Sequence, residues 1–289
     1  MKIENLVFEG GGVKGIAYAG AIQALETKQI LKNIVRVAGT SAGAITAALV
    51  SLKYDASTIT TVVKGTDFNK FEDHWNPLKI PTKYGLYKGQ YLLEFIESFF
   101  TRINLPKDTT FKDLKDKNYL DLKLFASDLN LQEAREFSFD ATPNAIVAEA
   151  VRASMSIPVF FRAWKFTNKI PDEHIYVDGG VTYNYPITAF DVDGSNPQTL
   201  GFHFGKMNQK REASDLDYDH LLDYVKTVFN MLLDSQKIDY AKDSSERKRS
   251  VNINDFGISA TDFSLTEEQK DKLYDSGQSA TLKFLESQH

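Results

Sequence analysis

The sequence predicts an α/β protein in three layers, helices on both faces of a mostly parallel sheet. Three observations predict it. Strand, tight turn and helix follow one another twice within the first fifty residues; apolar strand segments resume at 175–177 and 200–204 after helical stretches; and the 289 residues are 42% hydrophobic and 25% charged, enough to bury one large core.

The elements follow in order. Leu6, Val7 and Phe8 read as a buried strand, a glycine run follows, and Ile16, Ala19, Ala21, Ile22 and Leu25 give residues 16–27 helical spacing. Residues 34–37 read as a second strand, 39–43 as a tight turn and 44–52 as a second helix. Between 64 and 90, Gly65, Pro77, Pro81, Gly85 and Gly89 break the pattern, while Phe68, Phe71, Trp75, Tyr84 and Tyr87 enrich it in aromatics. A covering segment or lid is expected there. Residues 91–100 read as a helix, 122–126 and 135–139 as strands, and 145–153 as a helix with a small-residue face. One strand ends at Asp178, another spans 200–204, and from about 218 the chain is charged and helical around a strand at 250–253, closing with a helix over 267–286. No repeat or low-complexity linker divides the chain, so a single domain over 1–289 is expected.

Composition excludes several classes. Lys and Arg total 34 against 39 Asp and Glu, a formal charge of -5, which leaves no positive field for nucleic acid. The absence of cysteine removes disulfides, thiolate zinc sites and a Cys nucleophile together. The start, MKIENLVFEGGG, lacks the apolar region and cleavage site of a signal peptide, and the uncharged run 37–52 falls short of the roughly 20 apolar residues of a spanning helix. The expectation is a cytoplasmic protein or one peripheral to membranes, with delivery as an effector compatible.

Gly39-Thr40-Ser41-Ala42-Gly43 matches G-x-S-x-G between a predicted strand and a predicted helix. Such a bend turns its serine outward on a strained backbone, and the flanking glycines let the chain fold back without Cβ clashes. Ser41 is therefore either a nucleophile or a helix cap. Gly10-Gly11-Gly12-Val13-Lys14-Gly15 opens the first helix, so its N–H groups converge near that helix's positive end and form an anion site. Gly10, Gly12 and Gly15 also satisfy the dinucleotide fingerprint, which wants an acid at the end of the second strand. Residues 35–39 hold none; Arg36 could at best serve a 2′-phosphate, and Ser41 would have no task. A nucleotide-binding protein is the alternative of another class. As an oxyanion hole, the loop stabilises the negative oxygen formed when Ser41 attacks an ester. Lys14 either holds that loop through a carbonyl, neutralises a nearby phosphate, or is a solvated helix-start residue.

A nucleophilic serine needs a base. His74 lies in the aromatic segment, His220 at an acidic helix start and His289 at the terminus; His203 and His174 read as structural. Asp178 ends an apolar strand before Gly179 and Gly180, either as a turn former or as the base. A Ser41–Asp178–His203 triad of the α/β-hydrolase kind is a second reading.

Together these pieces resemble one family. GGGVKG, GTSAG and Asp178-Gly179-Gly180, in this order at successive strand ends, look like the patatin-like phospholipases, acyl hydrolases with a Ser–Asp dyad and no catalytic histidine. Residues 153–160, ASMSIPVF, are similar to the segment before that family's catalytic Asp; Tyr185-Pro186 follows as expected, and 257–263, GISATDF, resembles its closing strand and turn. The resemblance implies a patatin-type α/β/α fold, with Ser41 the nucleophile and Asp178 the base. It makes Gly11, Gly12 and the residues just after them the oxyanion loop, within Gly10–Gly15. The implied substrates are phospholipids, lysophospholipids and simpler acyl esters, cleaved by water without calcium, cofactor or metal. Lys14 stands where many members carry Arg, which keeps the charge and weakens any bidentate contact.

Three weaker signals remain. Asp215, Asp217 and Asp219 alternate like a calcium loop, but position six is His220 and position twelve Lys226, which rejects it. The rings from Phe68 to Tyr91, with Phe160, Phe161, Trp164 and Phe166, line an acyl pocket, touch a bilayer or pack the core. The mixed-sign run 242–249 reads as a solvated face.

Overall fold

In the computed structural model, residues 2–76, 78, 82, 84–205, 221–236 and 244–288 are described. The first strand, β1 (Asn5–Phe8), is wholly buried, which its continuous apolar run requires of a central parallel strand. It leads through the glycine loop into α1 (Ile16–Thr27), then β2 (Arg36–Thr40), α2 (Ala42–Ser51) and α3 (Ala56–Lys64). A short two-stranded sheet pairs β3 (Gly85–Tyr87) with β6 (Val159–Phe161) in parallel. Between them run α4 (Gln90–Thr101), α5 (Phe111–Asp116), β4 (Asp121–Asp128), β5 (Glu133–Ser138) and α6 (Val147–Ser154). The chain continues with β7 (Tyr176–Asp178), β8 (Thr199–Gly205), α7 (Leu221–Ser235), α8 (Ser244–Arg247), β9 (Ser250–Asn254) and α9 (Glu267–Glu286).

The main sheet runs β5-β4-β2-β1-β8-β9, with β7 joined to β4. The strands from β4 to β9 in that order are parallel; β5 and β7 pair antiparallel with β4. This is the mostly parallel α/β sheet the sequence predicts. One face carries the large core formed with α1, α2, α6 and α9, and the other a smaller cluster of Val7, Ala38, Phe125, Tyr185, Ile187 and Phe190. Helices α1 and α9 cross closely enough that a Cβ on Gly20 would stand 1.9 Å from Tyr274 O, and one on Gly277 would stand 1.8 Å from Ala17 O. Glycine alone fits both positions.

The register of β4 positions the site. Its residues Asp121 to Phe125 pair with β2, and Ala126 to Asp128 pair with β7. Since β5 occupies the opposite edge along Lys123 to Asp128, β2 and β7 share one edge, end to end. One is parallel to β4 and the other antiparallel, so their carboxyl ends meet head-on at Phe125 and Ala126.

Two differences from the sequence reading bear on the site. The second strand occupies 36–40 instead of 34–37, so Gly39 and Thr40 are strand residues and the 39–43 turn contracts to Ser41. Packing decides this: Gly39 lies against Gly43 O, where a Cβ would come within 2.2 Å, while Val35 stays half exposed. In the 64–90 segment the described residues form a 3₁₀ turn at Phe68–Phe71 and strand β3; Pro77 and Pro81 lie outside the described residues.

Candidate functional site

Ser41 and Asp178 are the residues delivered by the two facing strand ends. Ser41 has φ 53° and ψ −123°, a strained conformation for a residue with a Cβ. Its N–H donates to Ser154 Oγ at 2.8 Å, and that hydroxyl donates to Phe125 O at 2.5 Å, so α6 and β4 hold the strained turn. Ser41 makes no side-chain cap to α2; its hydroxyl donates to Asp178 Oδ2 at 2.7 Å.

Asp178 is fully buried. Oδ1 accepts from Gly180 N at 2.8 Å, so the residue forms the turn that its Asp-Gly pattern suggests and engages the serine with its other oxygen. Its backbone N–H donates to Ser156 O at 2.9 Å, and its carbonyl accepts from Ser127 Oγ at 2.8 Å. Loss of water raises its carboxyl to about 7, although the bonds from Ser41 and Gly180 favour the anion. Gly179 fits against Phe125 O, and Gly180 against Leu233 of α7.

The glycine loop is more committed than its sequence suggests. Gly10 N donates to Asn184 O at 3.0 Å, Val13 N to Ala260 O at 3.1 Å and Lys14 N to Gly11 O at 3.2 Å. Among the described residues, Gly11 N–H and Gly12 N–H have no acceptor, which narrows the open donors of Gly10–Gly15 to those two and removes Val13. Gly12 has φ +55° and faces Ala260 O, where a Cβ would come within 1.8 Å. Lys14 is neither solvated nor on a carbonyl: its Nζ meets Asp255 Oδ2 at 3.0 Å and lies 4.9 Å from the Phe204 ring centre. Gly15 and Ala42 line an apolar cleft with Gly12, Ile45, Phe68, Phe71 and Phe161.

Two buried residues of the site escaped the sequence reading. Glu9 accepts from Phe204 N at 2.7 Å and from Asn184 Nδ2 at 3.1 Å; Asn184 Nδ2 also reaches Gly10 O at 3.2 Å. Asn184 thus clasps the glycine loop to the chain that follows Asp178. Its position between Asp178-Gly179-Gly180 and Pro186 was the available signal.

The patatin-like phospholipase family profile matches residues 6–191, spanning both strand ends and both glycine turns. The chain belongs to the patatin-like phospholipase family. An uncharacterised protein, YqhO, of Bacillus subtilis is 32% identical over 295 residues, covering 96% of this chain and 97% of its own. A probable lipid hydrolase, 463L, of Invertebrate iridescent virus 6 is 25% identical over 64% of this chain and 62% of its own. VipD from Legionella pneumophila shares the fold, with a TM-score of 0.66 at 19% identity over 99% of this chain and 67% of that structure. Membership of this family makes the chain a lipid ester hydrolase.

The Asp178 carboxylate touches Ser41 directly, and among the described residues no imidazole stands between them. His203 is buried on β8 with its ring 5.4 Å from that of Tyr185. His174 Nδ1 lies 2.7 Å from Asp128 Oδ2, at the opposite end of β7, and His74 is exposed. His220, His289, Asp215, Asp217 and Asp219 lie outside the described residues. A dinucleotide reading fails because Arg36 bonds Asn5 Oδ1 at the far end of β1, and Ala260 fills the space a pyrophosphate would need over Gly12. Among the described residues Asp128, Asp172 and His174 hold ligand atoms within 4.8 Å of one another. Asp172 accepts the Tyr176 hydroxyl and Asp128 faces the imidazole, so they brace the start of β7. Phe160, Phe161 and Phe166 are buried and unavailable to a bilayer.

Proposed function

We propose that the protein is a phospholipase A or lysophospholipase-like acyl hydrolase that works through an acyl-Ser41 intermediate with Asp178 as its base. The observation that carries this is the 2.7 Å bond from Ser41 Oγ to a buried carboxylate whose basicity is raised to about 7. Ser41 Oγ attacks the ester carbonyl as its proton passes to Asp178 Oδ2, and the N–H groups of Gly11 and Gly12 receive the oxyanion. Collapse breaks the bond to the alcohol, which leaves with the proton from Asp178. Water then gives a proton to Asp178 and attacks the acyl carbon. The second collapse frees the fatty acid, and Asp178 returns the proton to Ser41. The apolar cleft beside Gly12 and Ala42 offers a hydrophobic surface to the start of an acyl chain.

The proposed hydrolysis is calcium-independent, a reading supported by the engagement of both Asp178 oxygens, one by Ser41 and one by Gly180. Peripheral contact with a lipid surface is supported by α7, which buries Phe229 and Leu233 while exposing Tyr224, Val228, Met231 and Leu232 at helical spacing. Leu233 rests on Gly180, so that helix joins the dyad loop to the exposed apolar face. No helix among the described residues is long and apolar enough to cross a membrane.

The test is direct. Ser41→Ala and Asp178→Asn each abolish hydrolysis of a medium-chain p-nitrophenyl ester, Ser41→Ala also abolishes fluorophosphonate labelling, and EDTA leaves the wild-type rate unchanged. His203→Gln keeps most of the activity. Turnover retained by the Ser41 variant, or lost with His203, removes the dyad.

A further inference from the structure

A second hollow, of about 470 Å³, opens between the 64–90 segment and the chain after β6. Thr82, Tyr84, Lys88, Arg162, Trp164 and Lys165 line it, three of them cations and none an acid. Among the described residues, no carboxylate forms an ion pair with Lys88, Arg162 or Lys165, and Arg162 Nε is buried without a hydrogen-bond partner. The neighbouring acids are turned elsewhere. Asp73 accepts from Gly89 N at 2.6 Å and Tyr91 N at 2.7 Å; Glu149 accepts from Trp164 Nε1 at 3.0 Å and Thr167 N at 2.8 Å. Three like charges around one open space repel, and a single phosphate, with several acceptor oxygens, can receive all three. Trp75, Leu78 and Tyr84, on the wall segment, are exposed by more than half, the residue types that sit well at a headgroup boundary beside basic side chains.

We propose that this hollow binds the phosphate of a lipid headgroup, at a site separate from the dyad; the choice of a lipid as the source of that phosphate rests on the acyl-hydrolase reading above. The hollow is also tied to the dyad's support. The carbonyls of Lys88 and Arg162 accept from the buried Arg152 Nη2 at 3.2 and 3.4 Å, Arg152 Nη1 donates to Ser156 Oγ at 2.7 Å, and Ser156 O receives the Asp178 N–H at 2.9 Å. A headgroup held by Lys88 and Arg162 therefore steadies the Arg152–Ser156 contact on which the Asp178 N–H rests.

The experiment uses the Ser41→Ala protein, so that binding is read without hydrolysis. Sedimentation with phosphatidylcholine vesicles, with and without phosphatidic acid, is compared for this protein, for a variant that adds Lys88→Gln, Arg162→Gln and Lys165→Gln, and for a control that adds Lys28→Gln, Lys32→Gln and Lys53→Gln. The control removes the same charge from the opposite ends of β1 and β2. The hollow variant is expected to lose roughly a hundredfold in affinity for the anionic vesicles, on the basis of about fivefold per basic residue at a lipid surface. The control is expected to lose much less. Calorimetry with glycerol 3-phosphate is the second arm: soluble phosphate that binds the parent and not the hollow variant keeps the phosphate chemistry and identifies a free phosphate as its source. Equal losses in both variants, or no loss in the hollow variant, overturn the proposal. Fluorophosphonate labelling of Ser41 in otherwise wild-type protein reads the dyad separately, so failure of one reading leaves the other visible.

Discussion

As the proposed base, Asp178 must be an anion to accept the Ser41 proton, yet its surroundings favour the neutral acid. Burial raises its carboxyl to about 7, against 3.8 for an ordinary aspartate. Two consequences follow with opposite signs. For activity, the base is present above pH 7 and lost below it, so kcat/KM for a neutral ester rises through a midpoint near 7 to an alkaline plateau, measured in buffers of constant ionic strength. For stability, the folded state binds this proton more tightly than the unfolded chain. The carboxyl is neutral at no cost below pH 3.8, becomes progressively destabilising between 3.8 and about 7, and stays so above that. The full effect is on the order of 4 kcal/mol before bonds lost on substitution are counted. Asp178→Asn is therefore expected to melt at a higher temperature than wild type at pH 8 and to lose that advantage at pH 4.5. An advantage equal at both pH values would remove the raised carboxyl as its cause. Ser41 and Asp178, the residues of the proposed dyad, were legible in the sequence because such chemistry comes with backbone demands, glycines around Ser41 and after Asp178. Lys14 was not, since Asp255 lies 241 positions away and nothing local reports it.

At the scale of elements, α6 and the turn after it form the frame of the site. Ser154 holds the Ser41 N–H, and Ser156 holds the Asp178 N–H through its carbonyl. Sequence reading marked 153–160 only through resemblance, because a serine whose hydroxyl receives another residue's N–H looks like any small helical residue until the two are juxtaposed. Ser154→Ala removes that acceptor while leaving the acyl cleft intact. It is expected to lower kcat about 10-fold to 100-fold, the effect of a buried unpaired N–H, with KM nearly unchanged and a parallel drop in fluorophosphonate labelling rate. The 3₁₀ turn at Phe68–Phe71 closes the cleft from the other side, with Phe71 nearly fully buried against Phe68, Tyr91 and Phe95. Phe71→Ala widens that wall, so the ratio of kcat/KM for laurate over butyrate esters is expected to rise. The same change costs about 3–5 kcal/mol of stability, read from urea unfolding.

At the scale of the molecule, one main sheet and one dominant core connect β1 through α9, with α1 and α9, some 250 positions apart, packed closely at Gly20 and Gly277. We propose that the chain unfolds as one unit, so that calorimetric and van't Hoff enthalpies agree in a single transition; two resolved transitions would separate the charged C-terminal part as its own domain. The sequence by itself determined the α/β class, the strand-turn-helix order of the first fifty residues, the glycine bends and the choice of Ser41 and Asp178 as candidates. Apolar periodicity and the conformational demands of glycine are local, and they can be read locally. What only the tertiary structure decided is the meeting of these parts. Strands β2 and β7 each pair with β4 along one edge and run toward each other, which brings Ser41 and Asp178, 137 positions apart, into contact. Desolvation of Asp178, the loss of Val13 as a donor, the burial of Lys14 and the clasp made by Asn184 all follow from that packing. Each is a property of neighbours in space, which the order of residues along the chain does not reveal.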